Sequence, residues 1–497
     1  MKIIRILVLF VLILASGLLR SYANNLKITN PQISGDDKIS FTVSWENSWA
    51  LDSSSAPNNH DAVWIFIKFR AANGTWQPLA LSSNSSDHQS DSLAIETVSD
   101  GMGVFLKRKK QGSGNINATN VTLKWAGYLY TGSFDFKVFG IEMVWVPKGS
   151  FYVGDGVSDS ALQRGDKKAP FLIASENSIP TGTDSLSISS TGVAVPGGTI
   201  PQAFPKGYNG FYCMKYEITQ DQYVDFLNSL SYGQQTNHVS TPPDAATGSF
   251  AFGTTMGNRN GFVIQTSGVN SLQPAVFACN SDANSVFNDP EDGETRACNF
   301  LDWNDMAAYL EWAALRPMTE LEFEKICRGP NKPVEREFAW GTPNAIDANT
   351  PIYDGTDSQR VKEVPGADTG IASYGYTAPT GPLRVGFAAD KTTNRLQAGA
   401  SYYGAMELSG NLWEMCIALT KQGLNFTAQT GDGILPADGF ANISTWPAID
   451  CNGAGFRGGA WDSGISGEFR DLAVSDRFYI TLLPTTRRNT SGGRGVR

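Results

Sequence analysis

The alternation of apolar and polar residues along the first third of the chain constrains its fold most strongly. In KISFTVSW, which spans residues 38–45, every second residue is apolar, and VTLKW and SFDFKVF repeat this pattern further along. Clusters of Gly, Asn and Ser separate the alternating segments. Side chains alternate between the two faces of a strand, so regularly spaced segments of this kind are typical of two packed sheets. We therefore predict an all-β immunoglobulin-like sandwich over residues 24–140.

A different pattern begins at Ile141, where the alternating segments give way to a sequence rich in glycine and other turn-forming residues. Residues 175–207 are rich in Ser, Thr, Gly and Pro and have no periodicity, which predicts a long loop. Two capping boxes, which begin at Thr219 and Thr319, predict short helices. We expect residues 141–497 to form a large α+β domain with two or three helices and much ordered loop.

Several segments of this second region resemble, in the same order, the signature segments of one family. They are MVWVPKGSFYVGDG, FYCMKYEITQDQYVDFL, FLDWNDMAAYLEWAALRPMTELEFEKICRG, YYGAMELSGNLWEM and FRGGAW. Together they are similar to the formylglycine-generating enzyme, or sulfatase-modifying factor, family. The resemblance implies a loop-rich, C-type-lectin-like α+β fold for residues 141–497. An exported β-sandwich followed by this domain resembles a bacterial, Bacteroidetes-type architecture.

The chain departs from this family at the position of its oxidase chemistry. In active members, two thiolates five residues apart bind Cu(I) just after the R-G-G-S-W segment. Counting from Gly458 and Gly459, those positions hold Ser463 and Glu468. Cu(I) is a soft cation and needs soft sulfur ligands, which these oxygen donors do not supply. We therefore predict no copper and no catalytic residue, although an atypical metal site remains an alternative.

The histidines indicate which other cofactors to expect, and the cysteines indicate whether disulfides form. The iron-dependent sulfoxide synthases of the same fold need three histidines, two of them close in sequence, whereas His60, His88 and His238 are widely spaced. We expect no iron site, no haem and no nucleotide. The six cysteines include no C-x-x-C pair, and their even number in an exported chain favours one or more disulfides, with the pairing left open.

The resemblance also implies a calcium site at the segment GNLWE. The family binds Ca²⁺ there through a side chain, two backbone carbonyls and a glutamate, which correspond to Glu407, Gly410, Leu412 and Glu414. Two carboxylates and two carbonyls suit a hard cation that takes six or more oxygen ligands. Glu407 is longer than the family's usual Asn or Asp. The alternative is a tight turn in which Glu414 caps a neighbouring backbone.

The segment that follows FRGGAW supplies the candidates for ligand recognition. We predict that these residues line the surface where active members present their thiols: Trp461, Asp462, Ser463, Glu468, Arg470, Asp471 and Arg477. An exposed tryptophan among charges of both signs suits binding. In the alternative, Arg470 and Asp471 form buried ion pairs and Trp461 belongs to the core.

The N-terminus and the overall charge bear on location and partners. Lys2 and Arg5 precede an apolar segment at residues 6–15, and Ser21-Tyr22-Ala23 forms a small-x-small cleavage site, so residues 1–23 predict a secretory signal peptide. We expect a periplasmic or extracellular protein without membrane insertion. A formal net charge of −9 argues against nucleic-acid partners, which require a basic face.

Three functions fit these observations. The first is a non-catalytic exported binding or scaffold protein with a protein or glycan partner at the cell envelope. The second is an oxidoreductase of the formylglycine-generating family with an atypical metal site. The third is a retroelement-diversified ligand-display protein, whose variable residues would lie near the C-terminus of this fold. The sequence leaves the partner and the oligomeric state open.

Overall fold

The computed structural model describes residues 25–52, 54–127, 134–390, 392–464 and 470–497. The predicted signal peptide and Glu468 lie outside these ranges. In the part of the chain that is described, no helix is both long enough and apolar enough to cross a membrane.

Strands dominate the fold. The N-terminal ones are β1 (Lys27–Ile33), β2 (Lys38–Ala50), β3 (Asp61–Arg70), β4 (Trp76–Pro78), β5 (Gln89–Ser90), β6 (Leu93–Thr97), β7 (Val104–Arg108), β8 (Gly112–Lys124) and β9 (Phe136–Val146). Those that follow up to the helices are β10 (Phe151–Val153), β11 (Leu162–Arg164), β12 (Phe171–Ile173), β13 (Ile179–Thr181), β14 (Ile188–Ser190), β15 (Gly198–Ile200) and β16 (Phe211–Met214).

The helices and the remaining strands are short. The helices are α1 (Gln220–Leu227), α2 (Tyr232–His238), α3 (Trp303–Trp312) and α4 (Glu320–Arg328), with 3₁₀ turns at Ser85–Asp87 and Gly423–Asn425. The strands are β17 (Phe262–Thr266), β18 (Val276–Cys279), β19 (Arg316–Pro317), β20 (Asn344–Asp347), β21 (Pro351–Ile352), β22 (Arg360–Val361), β23 (Thr369–Ala372), β24 (Trp413–Ile417), β25 (Ala454–Arg457), β26 (Ser491–Gly492) and β27 (Gly495–Val496). A strand-rich structure with a few short helices agrees with the predicted α+β class.

One continuous sheet joins the two regions that the sequence distinguishes. Strand β9 pairs with β3 on one side and with β16 on the other. The resulting eight-stranded sheet has the order β19-β27-β16-β9-β3-β7-β6, with β4 added beside β3. The predicted boundary after Gly140 therefore falls inside a strand. The other N-terminal strands form a second sheet in the order β1-β2-β8-β5.

Strand β3 shows why the two regions pack together, because it is buried on both faces. Val63 and Ile65 belong to the core between the two N-terminal sheets. Trp64 and Phe66 point the other way and join the core of the C-terminal region. The Trp64 indole donates a hydrogen bond to the carbonyl of Ala313 at 2.9 Å. A strand that is apolar on both faces requires a layer on each side, and the C-terminal domain supplies the second one.

The segment predicted as a long loop contains regular structure. Residues 175–207 include β13, β14 and β15, which join β11 in a four-stranded sheet of order β11-β14-β13-β15. Each of these strands has three residues. Such short strands leave almost no alternation in the sequence, so composition alone predicted a loop.

The predicted helix caps are confirmed. Thr219 and Thr319 each accept a hydrogen bond from the backbone three residues on, and the Gln or Glu there completes the box. Gly329 ends α4 with a φ of +64°, and a Cβ at this position would overlap the ring of Tyr402.

The expected disulfides are absent. All six cysteines lie in the described ranges, and each is buried and unpaired. They are divided among separate parts of the interior: Cys279, Cys298 and Cys451 in one core cluster, and Cys213, Cys327 and Cys416 in another. These thiols behave as small core residues.

Candidate functional site

The FRGGAW segment places a tight turn between the core and the surface. Arg457 ends strand β25, whose register pairs it with Glu414 of β24. Gly458 and Gly459 follow with φ values of +85° and +72°, a region that favours glycine. A Cβ on Gly458 would lie 2.6 Å from the carbonyl oxygen of Leu408, which leaves no room for a side chain. We call Arg457–Gly459 the RGG turn.

Beneath this turn lies a buried group of charges, the Arg–Glu network, which consists of Arg328, Arg457, Arg477, Glu320 and Glu324. The Arg457 guanidinium donates to Glu320 and to Glu324, both at 2.9 Å. Arg477 makes two further bonds to Glu320, each of 2.9 Å. Burial alone would raise the pKa of Glu320, but the two arginines hold it below its usual value. The network is an ionised support for the turn, in which only Arg457 Nε has no acceptor among the described residues.

Above the turn, a groove of about 480 Å³ opens to solvent. It is lined by Trp413, Phe456, Asp462, Ser463, Gly464, Asp471, Tyr479, Leu482, Arg488 and Thr490. Ser463 is 5% exposed, and its hydroxyl accepts a hydrogen bond of 3.0 Å from the N–H of Ala460. The same hydroxyl donates to Asp471.

The groove is acidic, and one of its carboxyls titrates close to neutral pH. Burial raises the pKa of Asp471 to about 6, the hydrogen bond from Ser463 lowers it in part, and repulsion from Asp462 adds to the increase. Arg488 lines the same groove and is exposed. The groove therefore offers charges of both signs beside aromatic rings.

The predicted groove residues divide into four groups. Asp462, Ser463 and Asp471 line the groove. Arg470 is half-buried, and its Nε has no acceptor within the described ranges. Glu468 lies outside those ranges.

The placement of Trp461 and Arg477 on the surface was wrong. Trp461 is 2% exposed, stacks on Tyr376 with ring centroids 5.5 Å apart, and donates its indole N–H to the carbonyl of Asn489 at 3.1 Å. Arg477 is fully buried in the Arg–Glu network. Both were assigned to the surface because they follow the FRGGAW segment in sequence. For Trp461 the structure agrees with the alternative, in which the indole belongs to the core.

Several groove residues were missed. Trp413 and Tyr479 form an edge-to-face pair with centroids 5.2 Å apart, and Leu482 and Arg488 complete that wall. Strand alternation could not have identified Trp413, because the other four residues of β24 are all buried. Tyr479, Leu482 and Arg488 follow irregular structure, where no pattern indicates direction.

The residues of the predicted calcium site lie in a buried cluster of carboxylates. Glu414 accepts a charge-assisted bond from Arg494 Nε at 2.5 Å, so it forms an ion pair and does not cap a neighbouring backbone as the alternative proposed. Glu407 Oε1 accepts the N–H of Gly386 at 2.9 Å, and burial raises the pKa of this carboxyl to about 7. Gly410 and Leu412 lie on the turn between the two glutamates.

Two oxygens of this cluster have no donor among the described residues, Glu407 Oε2 and Glu414 Oε2. Buried carboxylate oxygens are costly to leave unpaired, so a hard cation fits this donor set. Glu217 was missed here. Its carboxylate accepts bonds from Asn411 Nδ2 at 2.5 Å and from the N–H of Leu412 at 2.9 Å. Burial and the neighbouring Glu414 raise the pKa of Glu217.

A second concave surface, which we call the acidic cleft, lies between the N-terminal strands and α1. Asp221 and Asp225 project from successive turns of α1, and Glu294 lies beside them, with its carbonyl accepting the N–H of Asp221 at 3.0 Å. Burial, followed by repulsion from Asp225, raises the pKa of Asp221 to about 7, and burial raises that of Glu294 to about 7. The sequence indicated α1 but gave no reason to expect Glu294 beside it.

The strand-rich α+β fold, the RGG turn and the charged network beneath it define a domain of the sulfatase-modifying class. The family model described as "Sulfatase-modifying factor enzyme 1-like domain" matches residues 137–497, and the chain belongs to this family. The formylglycine-generating enzyme of Thermomonospora curvata is 25% identical over 249 residues, which cover 45% of this chain and 70% of that protein. The resemblance predicted from the motifs is confirmed.

Proposed function

We propose that the protein is a non-catalytic exported binding or scaffold protein built on this domain, with the groove as its recognition surface. The observation that carries the proposal is Ser463. The position corresponding to the family's first thiol holds a hydroxyl, which is fixed between the N–H of Ala460 and the carboxyl of Asp471.

The state of the cysteines supports the same proposal. The thiolate is the form that binds Cu(I), whereas burial raises the pKa of all six thiols. No cysteine is among the described residues that line the groove. To place two thiolates at the groove, buried cysteines would have to move out of the core.

The chemistry of the groove favours recognition of a protein or glycan partner. Trp413 and Tyr479 provide aromatic surface, while Asp462, Asp471 and Arg488 provide donors and acceptors of both charges. Aromatic residues and arginine are enriched where binding energy is concentrated. The N-terminal strands, which we propose to be an immunoglobulin-like docking module, share a sheet with the domain and would hold the groove in a fixed orientation.

The test of this proposal is peptide oxidation. The protein is incubated with Cu(I), oxygen and a cysteine peptide of the sulfatase type, and the peptide is analysed by mass spectrometry. We expect no formylglycine, with the Thermomonospora curvata enzyme as positive control. Conversion of the peptide would reject the proposal and support the alternative of an oxidoreductase with an atypical site.

We also propose that Ca²⁺ binds at the turn that contains Gly410. Glu407 Oε2 and Glu414 Oε2 would be its carboxylate ligands, and the carbonyls of Gly410 and Leu412 would add two oxygens. Arg494 already neutralises Glu414 in part. The role of the ion would be to brace the turn next to β24, which carries Trp413 into the groove.

A further inference from the structure

A second group of carboxylates lies far along the chain from the turn just described. The turn-rich segment 280–292, which we call the aspartate loop, follows strand β18 and precedes α3. It brings Asp282, Asp289 and Asp292 together, so that one carboxylate oxygen of each lies within 4.8 Å of the others. Two ligands on opposite sides of one Ca²⁺ ion, each about 2.4 Å from it, are separated by about the same distance.

Asp292 provides an independent reason to expect a ligand. It is fully buried, and its Oδ2 accepts the N–H of Asp289 at 2.9 Å. Its Oδ1 is also buried but has no hydrogen-bond donor within the described ranges, and the same is true of Asn280 Oδ1. A buried carboxylate oxygen is stabilised by a donor or by a cation.

The protein itself does not supply that cation. None of the three aspartates forms an ion pair with a lysine, arginine or histidine of the described chain. Arg296 is close in sequence, but it pairs with Asp354 at 3.2 Å. The Asn284 amide donates to Asp282 Oδ2 at 2.5 Å and to Asp289 Oδ2 at 3.0 Å. Hydrogen bonds therefore stabilise two of the carboxylates, but no cationic side chain of the described chain neutralises them.

We propose that the aspartate loop binds one divalent cation, and that this cation is Ca²⁺. The available donors are carboxylate and amide oxygens, which a hard cation prefers and which zinc or copper sites rarely use alone. A loop of successive turns allows the irregular coordination of six to eight oxygens that Ca²⁺ accepts, whereas Mg²⁺ demands a near-ideal octahedron. Asn280 Oδ1 is a further ligand candidate.

Because of the position of the loop, a bound ion would affect the acidic cleft. Asp289 lines the acidic cleft together with Asn288 and Pro290. A bound cation would brace this edge of the cleft and reduce the repulsion that Asp292 exerts on Glu294. The proposal is independent of the groove and goes beyond the function proposed for it.

The test is calcium binding by isothermal titration to the EDTA-stripped protein in the presence of excess Mg²⁺. Four proteins are compared: wild type, Asp282→Asn, Asp292→Asn and Glu407→Gln. We expect each aspartate substitution to weaken one calcium site at least tenfold and Glu407→Gln to leave that site unchanged. Asp282 is exposed, so its substitution cannot act by disrupting the core.

Two results would overturn the proposal. One is equal calcium binding, in number of sites and affinity, by wild type and both aspartate variants. The other is the loss, in Glu407→Gln, of every calcium site that the wild type has. Thermal melting in EDTA shows whether each variant is folded, and a folded Asp282→Asn is sufficient for the comparison.

Discussion

The interior beneath the RGG turn and the groove above it differ in how they relate to the family. Beneath the turn, Arg457 and Glu320 are fully buried and form an ion pair at 2.9 Å. Above it, a hydroxyl and two carboxylates line the groove, at the place where we predict that active members present their thiols. The family motif therefore predicts the framework of the RGG turn. The chemical character of the groove depends on residues outside the motif.

This difference separates two kinds of substitution. Changes beneath the turn should alter stability, because buried charges lose their partners. Changes in the groove should alter binding and leave stability nearly unchanged, because their side chains are in contact with solvent.

The largest effect is expected for Glu320→Ala. The substitution leaves Arg457 and Arg477 buried without their shared carboxylate, and breaking a buried pair in this way costs about 3–5 kcal/mol. Urea unfolding followed by circular dichroism measures the loss. Asp462→Asn is the matched control in the exposed groove, where changes of about 0.5 kcal/mol or less are usual. Similar stabilities of the two variants would contradict the distinction.

Trp461→Ala is expected to behave like an interior substitution. Removing a buried tryptophan typically costs about 3–5 kcal/mol, and the loss of stacking on Tyr376 is part of that cost. Tyr479→Ala, in the groove wall, should cost much less. If Trp461→Ala melts like the wild type, the indole belongs to the recognition surface after all.

Calcium should stabilise the protein through the turn that contains Gly410. At a hundredfold excess over the dissociation constant, one site that exists only in the folded state adds about 2.7 kcal/mol. In thermal melting, Glu407→Gln should lose this gain and keep only that of the aspartate loop, whereas Asp292→Asn should keep the gain of the turn and lose that of the loop. Glu414→Ala is unsuitable, because it also leaves Arg494 unpaired. An identical calcium response of wild type and Glu407→Gln would remove the site from this turn.

The smallest effect concerns Asp471. Its pKa is about 6 in the folded protein against an ordinary value of 3.8, so its protonated form stabilises the fold below about pH 4 and this contribution is lost as the pH rises through 6. Asp471→Asn has no such loss. Its stability relative to wild type should therefore increase between pH 4 and pH 6 and stay constant above. A difference independent of pH would show that the carboxyl titrates normally.

The sequence predicted the family, the α+β class and the helix caps, because these depend on local spacing that the chain retains. The sequence did not predict which side chains point to the groove and which point to the interior, because the spacing of residues in irregular segments carries no information on side-chain direction. Trp461 and Arg477 lie in the same segment of sequence as groove residues, but both are buried. The even number of cysteines was the only basis for predicting disulfides, but the cysteines lie in two separate core clusters.

The boundary after Gly140 illustrates the same limit. The composition changes there, but β9 continues to Val146 because both of its neighbours in the sheet need a partner. The aspartate loop escaped notice because its carboxylates are spread over 11 residues and meet only after the chain has made successive turns.

Copper binding tests the central claim most directly. Wild type and the double variant Ser463→Cys/Glu468→Cys are loaded anaerobically with Cu(I), desalted and analysed for metal. If the family framework is retained and only its thiols have been replaced, the double variant should hold stoichiometric copper and the wild type should not. Stoichiometric copper in the wild type, lost on Ser463→Ala, would contradict the account.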